Sequence, residues 1–147
     1  MANTQKRKVV VTSGYYNPVH VGHINLFKSA KELGDILVAI VNNDEQVKLK
    51  GSVPFMPQEE RVEIIEAIKY IDEVFLSVDK DKSVRKTLEM IFQKYKENDL
   101  VFAKGGDSTL ENVPEIEVCN RYNAKLVLNV GGGKVQSSSW LLTNTKK

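Results

Sequence analysis

With 147 residues, 41% of them apolar and 27% charged, the chain can close one hydrophobic core without disulfide or metal staples and has the composition of a soluble globular domain. A formal net charge of +2 is too small to argue for a nucleic-acid or membrane partner. Cys119 is the only cysteine, which excludes an intrachain disulfide, and its place on a helical stripe predicts a buried, unreactive thiol.

The polar, basic stretch from Met1 to Lys8 runs straight into Val9–Val11. That apolar run is too short for a signal peptide or a membrane span, so the expected compartment is the cytoplasm. The first predicted strand is Val9–Thr12, followed by a Gly-aromatic loop and a helical stripe of Ile24, Phe27, Ala30 and Leu33. Gly34 is expected to end that helix in the left-handed conformation. A second strand, Ile36–Val41, leads into the polar stretch Asn42–Gly51, read as an extended loop. Pro57 marks a first helical position, with Glu59 and Glu60 complementing the dipole of a helix whose stripe is Val62, Ile65, Ile68 and Ile71. Val74–Val78 is the third strand, and Val84, Leu88, Ile91 and Tyr95 mark the third helix. Leu100–Ala103 is the fourth strand. Pro114 fits the first turn of a fourth helix carrying Val113, Ile116, Cys119 and Tyr122, and Leu126–Val130 is the last strand. The Lys146-Lys147 end reads as a frayed tail.

This alternation predicts a single α/β domain spanning 1–147. Its expected architecture is a Rossmann-like, doubly wound, five-stranded, mostly parallel sheet with helices on both faces. Ligands of such sheets sit beyond the carboxyl ends of the strands, at a switch in strand order. The residues that follow each strand therefore matter most.

After the first strand comes Ser13-Gly14-Tyr15-Tyr16-Asn17-Pro18-Val19-His20-Val21-Gly22-His23. Gly14 allows a sharp departure from the strand and Pro18 pins the loop. His20 and His23 are the only histidines, and a three-residue spacing at a helix start puts both rings on one face. Gly22 leaves room for a bulky anion near helix N-terminal N–H groups. Two imidazoles, a glycine and a helix N-terminus form a compact phosphate site. Zinc is the competing reading of His-x-x-His, but one cysteine and no further histidine leave no recognisable ligand set.

His20-Val21-Gly22-His23 in this context resembles the His-x-Gly-His signature of the nucleotidylyltransferase superfamily, in its cytidylyltransferase-like branch. That branch includes glycerol-3-phosphate cytidylyltransferases and heptose-phosphate adenylyltransferases. Other segments extend the resemblance. The acidic-then-lysine stretch holding Asp44, Lys48 and Lys50 is similar to one whose lysines contact phosphates. Lysines two apart point oppositely in extended chain, so one faces the site, and Lys50 is favoured. Ile68–Val74 resembles Arg-Tyr-Val-Asp-Glu-Val of cytidylyltransferases, with Lys69 in place of the arginine. Lys104-Gly105-Gly106-Asp107 resembles the Lys-Gly-Gly-Asp of heptose-phosphate adenylyltransferases, where Asp107 could accept bonds from ribose or base. Ser137, Ser138 and Ser139 resemble the hydroxyl run that holds the β- and γ-phosphates.

The resemblance implies transfer of CMP or AMP from CTP or ATP to a small phosphorylated acceptor, with release of pyrophosphate. It implies His20, His23 and Lys50 as catalytic residues. Ser13, Gly14, Tyr15, Tyr16, Gly22, Gly105, Gly106, Asp107 and Ser137–Ser139 would bind nucleotide. Asp44, Lys48 and Lys69 would bind the acceptor. Mg²⁺ is expected on the nucleotide phosphates and water, without a protein ligand cage. A homodimer is the expected assembly if there is one. The Ile68–Val74 segment favours CTP slightly. The alternatives are a sugar-phosphate adenylyltransferase and a nucleotide-binding module without turnover. Asn17 stands where many relatives carry Asp, and Asn17→Asp is expected to be tolerated. A dinucleotide-dependent oxidoreductase is disfavoured, because no Gly-x-Gly-x-x-Gly follows the first strand.

Overall fold

The β-branched runs pair because their side chains fit a pleated surface buried on both faces. In the computed structural model, which describes residues 6–105 and 113–131, the strands are β1 (Lys8–Gly14), β2 (Ile36–Val41), β3 (Glu73–Leu76), β4 (Asp99–Gly105) and β5 (Lys125–Val130). All pair in parallel, in the order β3-β2-β1-β4-β5. The chain winds outward from β1 through β2 to β3, then crosses back to β4 and β5. The order therefore reverses between β1 and β4.

The helices are α1 (Val21–Glu32), α2 (Asp44–Leu49), α3 (Gln58–Glu66), α4 (Arg85–Lys94) and α5 (Ile116–Arg121). Alternate residues of β1 separate two cores, as a period of two requires. Val9 and Val11 join Leu88, Ile91 and Phe92 of α4 and Val118 and Cys119 of α5. Val10 joins Phe27 and Ala30 of α1 and Ile65 of α3 on the other face. The expected doubly wound, parallel α/β architecture is the one observed. Among the described residues no helix is long and apolar enough to cross a membrane.

Several local expectations are corrected. Asp44–Leu49 is helical, not extended: Asn43 caps it, accepting from Gln46 N at 2.9 Å, while Gln46 returns a bond to Asn43 N. Ile68 and Ile71 lie beyond the end of α3, and Val78 lies beyond β3. Pro57 is the N-cap of α3 rather than its first residue. Pro114 precedes the α5 cap, Glu115. Gly34 is absent from the positive-φ residues. Its reason is space: a Cβ there would sit 2.7 Å from the Lys8 carbonyl oxygen and 2.8 Å from Val10 Cγ2.

Candidate active site

A parallel sheet whose order reverses opens a crevice beyond the carboxyl ends of the two strands at the reversal, here β1 and β4. The β1–α1 loop fills the mouth of that crevice. It is tied to the neighbouring strand end where Asn42 N donates to Gly14 O at 2.9 Å.

His20 is the N-cap of α1, with extended backbone at φ −142° and ψ −179°. Its Nδ1 accepts from Gly22 N at 3.0 Å, and its own backbone N–H donates to His23 Nδ1 at 3.0 Å. This is a capping box built from two histidines. An unprotonated Nδ1 that accepts a backbone N–H leaves the ring proton on Nε2. Each ring is thus held in the orientation whose remaining nitrogen, Nε2, is a donor. Their centroids are 4.0 Å apart and their planes differ by 35°.

His23 is held neutral. Burial, then the neighbouring His20, then Lys50 lower its pKa from 6.5 to about 4. The Tyr16 ring meets it edge-on at 5.0 Å and continues to Phe27 at 5.4 Å. Tyr16 itself is buried at φ +50°, a left-handed conformation that is costly for a bulky residue. Gly14 allows it, since a Cβ there would sit 2.7 Å from the Tyr16 ring. Burial pushes the Tyr16 phenol far above its usual range.

One prediction arises here. The ring signals of His23 should not titrate between pH 8 and pH 5.5 in an NMR titration, and an ordinary midpoint near 6.5 would contradict this environment. The sign for stability follows. The unfolded state binds the extra proton first, so this contribution is complete above pH 6.5 and is lost as pH falls from 6.5 through about 4.

Lys50 is the C-cap of α2. Its Nζ lies 4.2 Å from the Tyr15 ring centroid, a cation–π contact, and its charge reaches His23. Glu115 and burial together raise the Tyr15 phenol, burial being the larger cause. Lys50, Tyr15, Tyr16, His20 and His23 are therefore brought together, and Ser13 and Gly14 end the strand beneath them. Gly105 ends β4 against Leu26 of α1, whose Cδ1 a Cβ there would approach to 3.3 Å. Lys48 instead pairs with Glu45 on the exposed side of α2, at 3.4 Å. Gly106, Asp107, Ser137, Ser138 and Ser139 lie outside the described residues.

Two expected acceptor-binding residues are otherwise engaged or elsewhere. Asp44 Oδ1 accepts from Arg61 at 2.6 Å, and its other oxygen accepts from Gln58 N at 3.3 Å. Lys69 lies away from the histidine loop in the fold. It precedes β3, near Asp72, which bonds Leu37 at the start of β2. That is the amino edge of the sheet, whereas the histidine loop follows the carboxyl end of β1. The Ile68–Val74 segment is a clasp: the Asp72 carboxylate accepts from Lys31 Nζ and from Leu37 N at 2.8 Å.

Arg61 was not foreseen. It is 1% exposed. Its guanidinium donates to Met56 O at 3.1 Å, Tyr15 O at 2.8 Å, Asn42 O at 2.7 Å and Asp44 Oδ1 at 2.6 Å. A planar fork suits this simultaneous reach, and it pins the histidine loop to the end of β2. In sequence it follows Gln58-Glu59-Glu60 and looks like one more charge on a solvated helix face.

A family model described as cytidylyltransferase-like matches residues 11–130. The FAD synthase of Pyrococcus abyssi is 48% identical over 77 residues, covering 52% of this chain and 51% of that protein. The bifunctional protein HldE of Geobacter sulfurreducens is 35% identical over 126 residues, covering 84% of this chain and 24% of that protein. The chain thus matches about half the length of that FAD synthase. The crystal structure of the lipopolysaccharide core biosynthesis protein from Thermoplasma volcanium shares the fold at a TM-score of 0.64. Its identity is 24%, covering 83% of this chain and 95% of that one.

Proposed function

The chain belongs to the cytidylyltransferase-like family, and on that premise we propose that it transfers AMP from ATP to a small phosphorylated acceptor and releases pyrophosphate. The observation that carries the transfer chemistry is the histidine capping box, which presents two fixed Nε2–H donors beside a lysine at the switch in strand order.

An acceptor phosphate oxygen attacks the α-phosphorus, forming the new P–O bond. The bond to the bridging β-phosphate oxygen breaks, and pyrophosphate leaves with its electron pair. No protein nucleophile is required. Positioning and stabilisation of charge on the five-coordinate phosphorus do the catalysis. His20 and His23 donate to the non-bridging oxygens there, and Lys50 offsets negative charge on the triphosphate. Neutral imidazoles suit this role, because two adjacent imidazolium rings would repel. Mg²⁺, when bound, neutralises the triphosphate. Such an ion would be held through phosphate oxygens and water, since the Asp44 carboxylate is engaged by Arg61.

ATP is preferred to the CTP favoured by the Ile68–Val74 segment. FAD carries an adenylate half, so the activity named in the FAD synthase relatives is adenylyl transfer. The segment that favoured CTP lies at the amino edge of the sheet, which weakens it as a guide to the base.

The test is pyrophosphate release with ATP and with CTP, each against a panel including FMN, sugar phosphates and polyol phosphates. The expected result is turnover with ATP and one acceptor, exceeding CTP by about tenfold or more in kcat/KM. Equal or better use of CTP contradicts the adenylyl assignment. ATP binding with no pyrophosphate from any acceptor contradicts the enzyme.

A further inference from the structure

We propose that Asn17 is a positioning residue, whose carboxamide locks the segment following Lys50 onto the histidine loop and so fixes where the Lys50 ammonium stands. This rests on the reading of His20, His23 and Lys50 given above.

Asn17 Nδ2 donates to Val53 O at 2.9 Å and its Oδ1 accepts from Phe55 N at 2.7 Å. The two partners fix the orientation of the amide, one being a carbonyl and the other an N–H. The bridge spans 36 to 38 residues of sequence, and it joins the histidine loop to the segment that follows Lys50. Apolar burial does little to hold the second segment. Val53 and Phe55 are each 75% exposed, and burying so little apolar surface gives little stabilisation. Its anchors lie at its ends: Ser52 N donates to Val47 O at 3.1 Å, and Arg61 Nε donates to Met56 O. Between them, the Asn17 amide bonds both Val53 O and Phe55 N. Lys50 lies just ahead of this span, and its Nζ rests on Tyr15, two residues from Asn17. The amide therefore couples the position of the cation to that of the rings.

This geometry argues against the expectation that Asn17→Asp is tolerated. A carboxylate accepts but does not donate. It would keep the bond from Phe55 N and set its other oxygen against the Val53 carbonyl oxygen, at the 2.9 Å now occupied by a hydrogen bond. The neighbouring charges do not offset that repulsion through a direct contact, since Lys50 is engaged over Tyr15 and Arg61 by Asp44.

The experiment compares wild type, Asn17→Asp, Asn17→Ala, Lys50→Ala and the double variant Asn17→Ala/Lys50→Ala. ATP affinity is measured by calorimetry, adenylyl turnover by pyrophosphate release, and backbone exchange at residues 52–56 by mass spectrometry. The expected result is faster exchange in both Asn17 variants, with kcat reduced about tenfold or more and the ATP Kd changed less. In the double variant the loss should stay within about threefold of that in Lys50→Ala, because both changes remove one effect. Multiplying losses, or unchanged exchange at 52–56 in both Asn17 variants, overturn the proposal. If wild type binds ATP without releasing pyrophosphate, the enzymatic reading fails separately. The proposal is then decided by exchange and by the same double-variant comparison on ATP affinity.

Discussion

His23→Ala is expected to lower turnover by about two to three orders of magnitude, the usual loss when one charge-stabilising donor is removed, in a protein that still folds. The His23 side chain does two things at once. Its Nδ1 accepts the His20 backbone N–H, and its ring packs against Tyr16. The first is half of a capping box, whose loss costs about 1 kcal/mol. The second is partial burial beside a ring that Phe27 also supports. Neither is large enough to unfold a domain of ordinary stability. The donor lost from the transition state, by contrast, is one of the two that this reading places on the phosphorus oxygens. Removing the histidine also removes the acceptor of the His20 backbone N–H, while the Gly22 N bond to His20 Nδ1 remains. His20→Ala should behave alike, and the double variant should lose much less than the product of the two single losses, as for groups acting as a unit. Steady-state kinetics on variants with native circular dichroism and unfolding midpoints checks this. Turnover within about threefold of wild type, well short of the loss expected for such a donor, would remove the histidines from the mechanism.

Arg61→Met is expected to be the most destabilising single change in the described structure, by about 3–5 kcal/mol. The side chain is fully buried, and its four bonds satisfy three backbone carbonyls and the Asp44 carboxylate. Methionine fills part of the volume but leaves those acceptors without their donor, and an unsatisfied buried group costs more than the bond was worth. With stabilities of about 5–15 kcal/mol for domains of this kind, the variant sits near the threshold for folding. Arg61→Lys is the companion measurement. It keeps the charge and loses the fork, so it should fold with reduced stability and with weakened ATP binding, because the Tyr15 carbonyl and the Asn42 carbonyl are no longer held together. Urea unfolding of both variants gives the numbers. A loss below about 1 kcal/mol in Arg61→Met, the scale of one ordinary hydrogen bond, would mean the network is not what holds the loop.

The strands were legible because β-branched runs of four to six residues have few other uses. The helix faces were legible from their period. The histidine pair was legible for a local reason: spacing at a helix start fixes geometry without reference to the rest of the chain. What failed depended on tertiary partners. Asp44–Leu49 is too short to announce itself as a helix. It is held by the Asn43 cap and by Gln46, whose amide donates to Asp81 O at 2.7 Å and Ser83 O at 2.8 Å. Those carbonyls are 35 and 37 residues away. Arg61 was invisible because burial of a charge is decided by four acceptors scattered over its surroundings. Lys69 stands before β3, and which end of the sheet a segment occupies depends on the strand order, which a short motif does not carry. Asn17 was read as a near-equivalent of aspartate because only the structure shows that both ends of its amide are used.

A crystal structure with a non-hydrolysable ATP analogue tests the central claim most directly. The account predicts triphosphate oxygens within hydrogen-bond reach of both His20 Nε2 and His23 Nε2, with the Nδ1 bonds to Gly22 N and His20 N intact. A triphosphate bound elsewhere, or rings turned so that Nδ1 rather than Nε2 meets the phosphates, would contradict it.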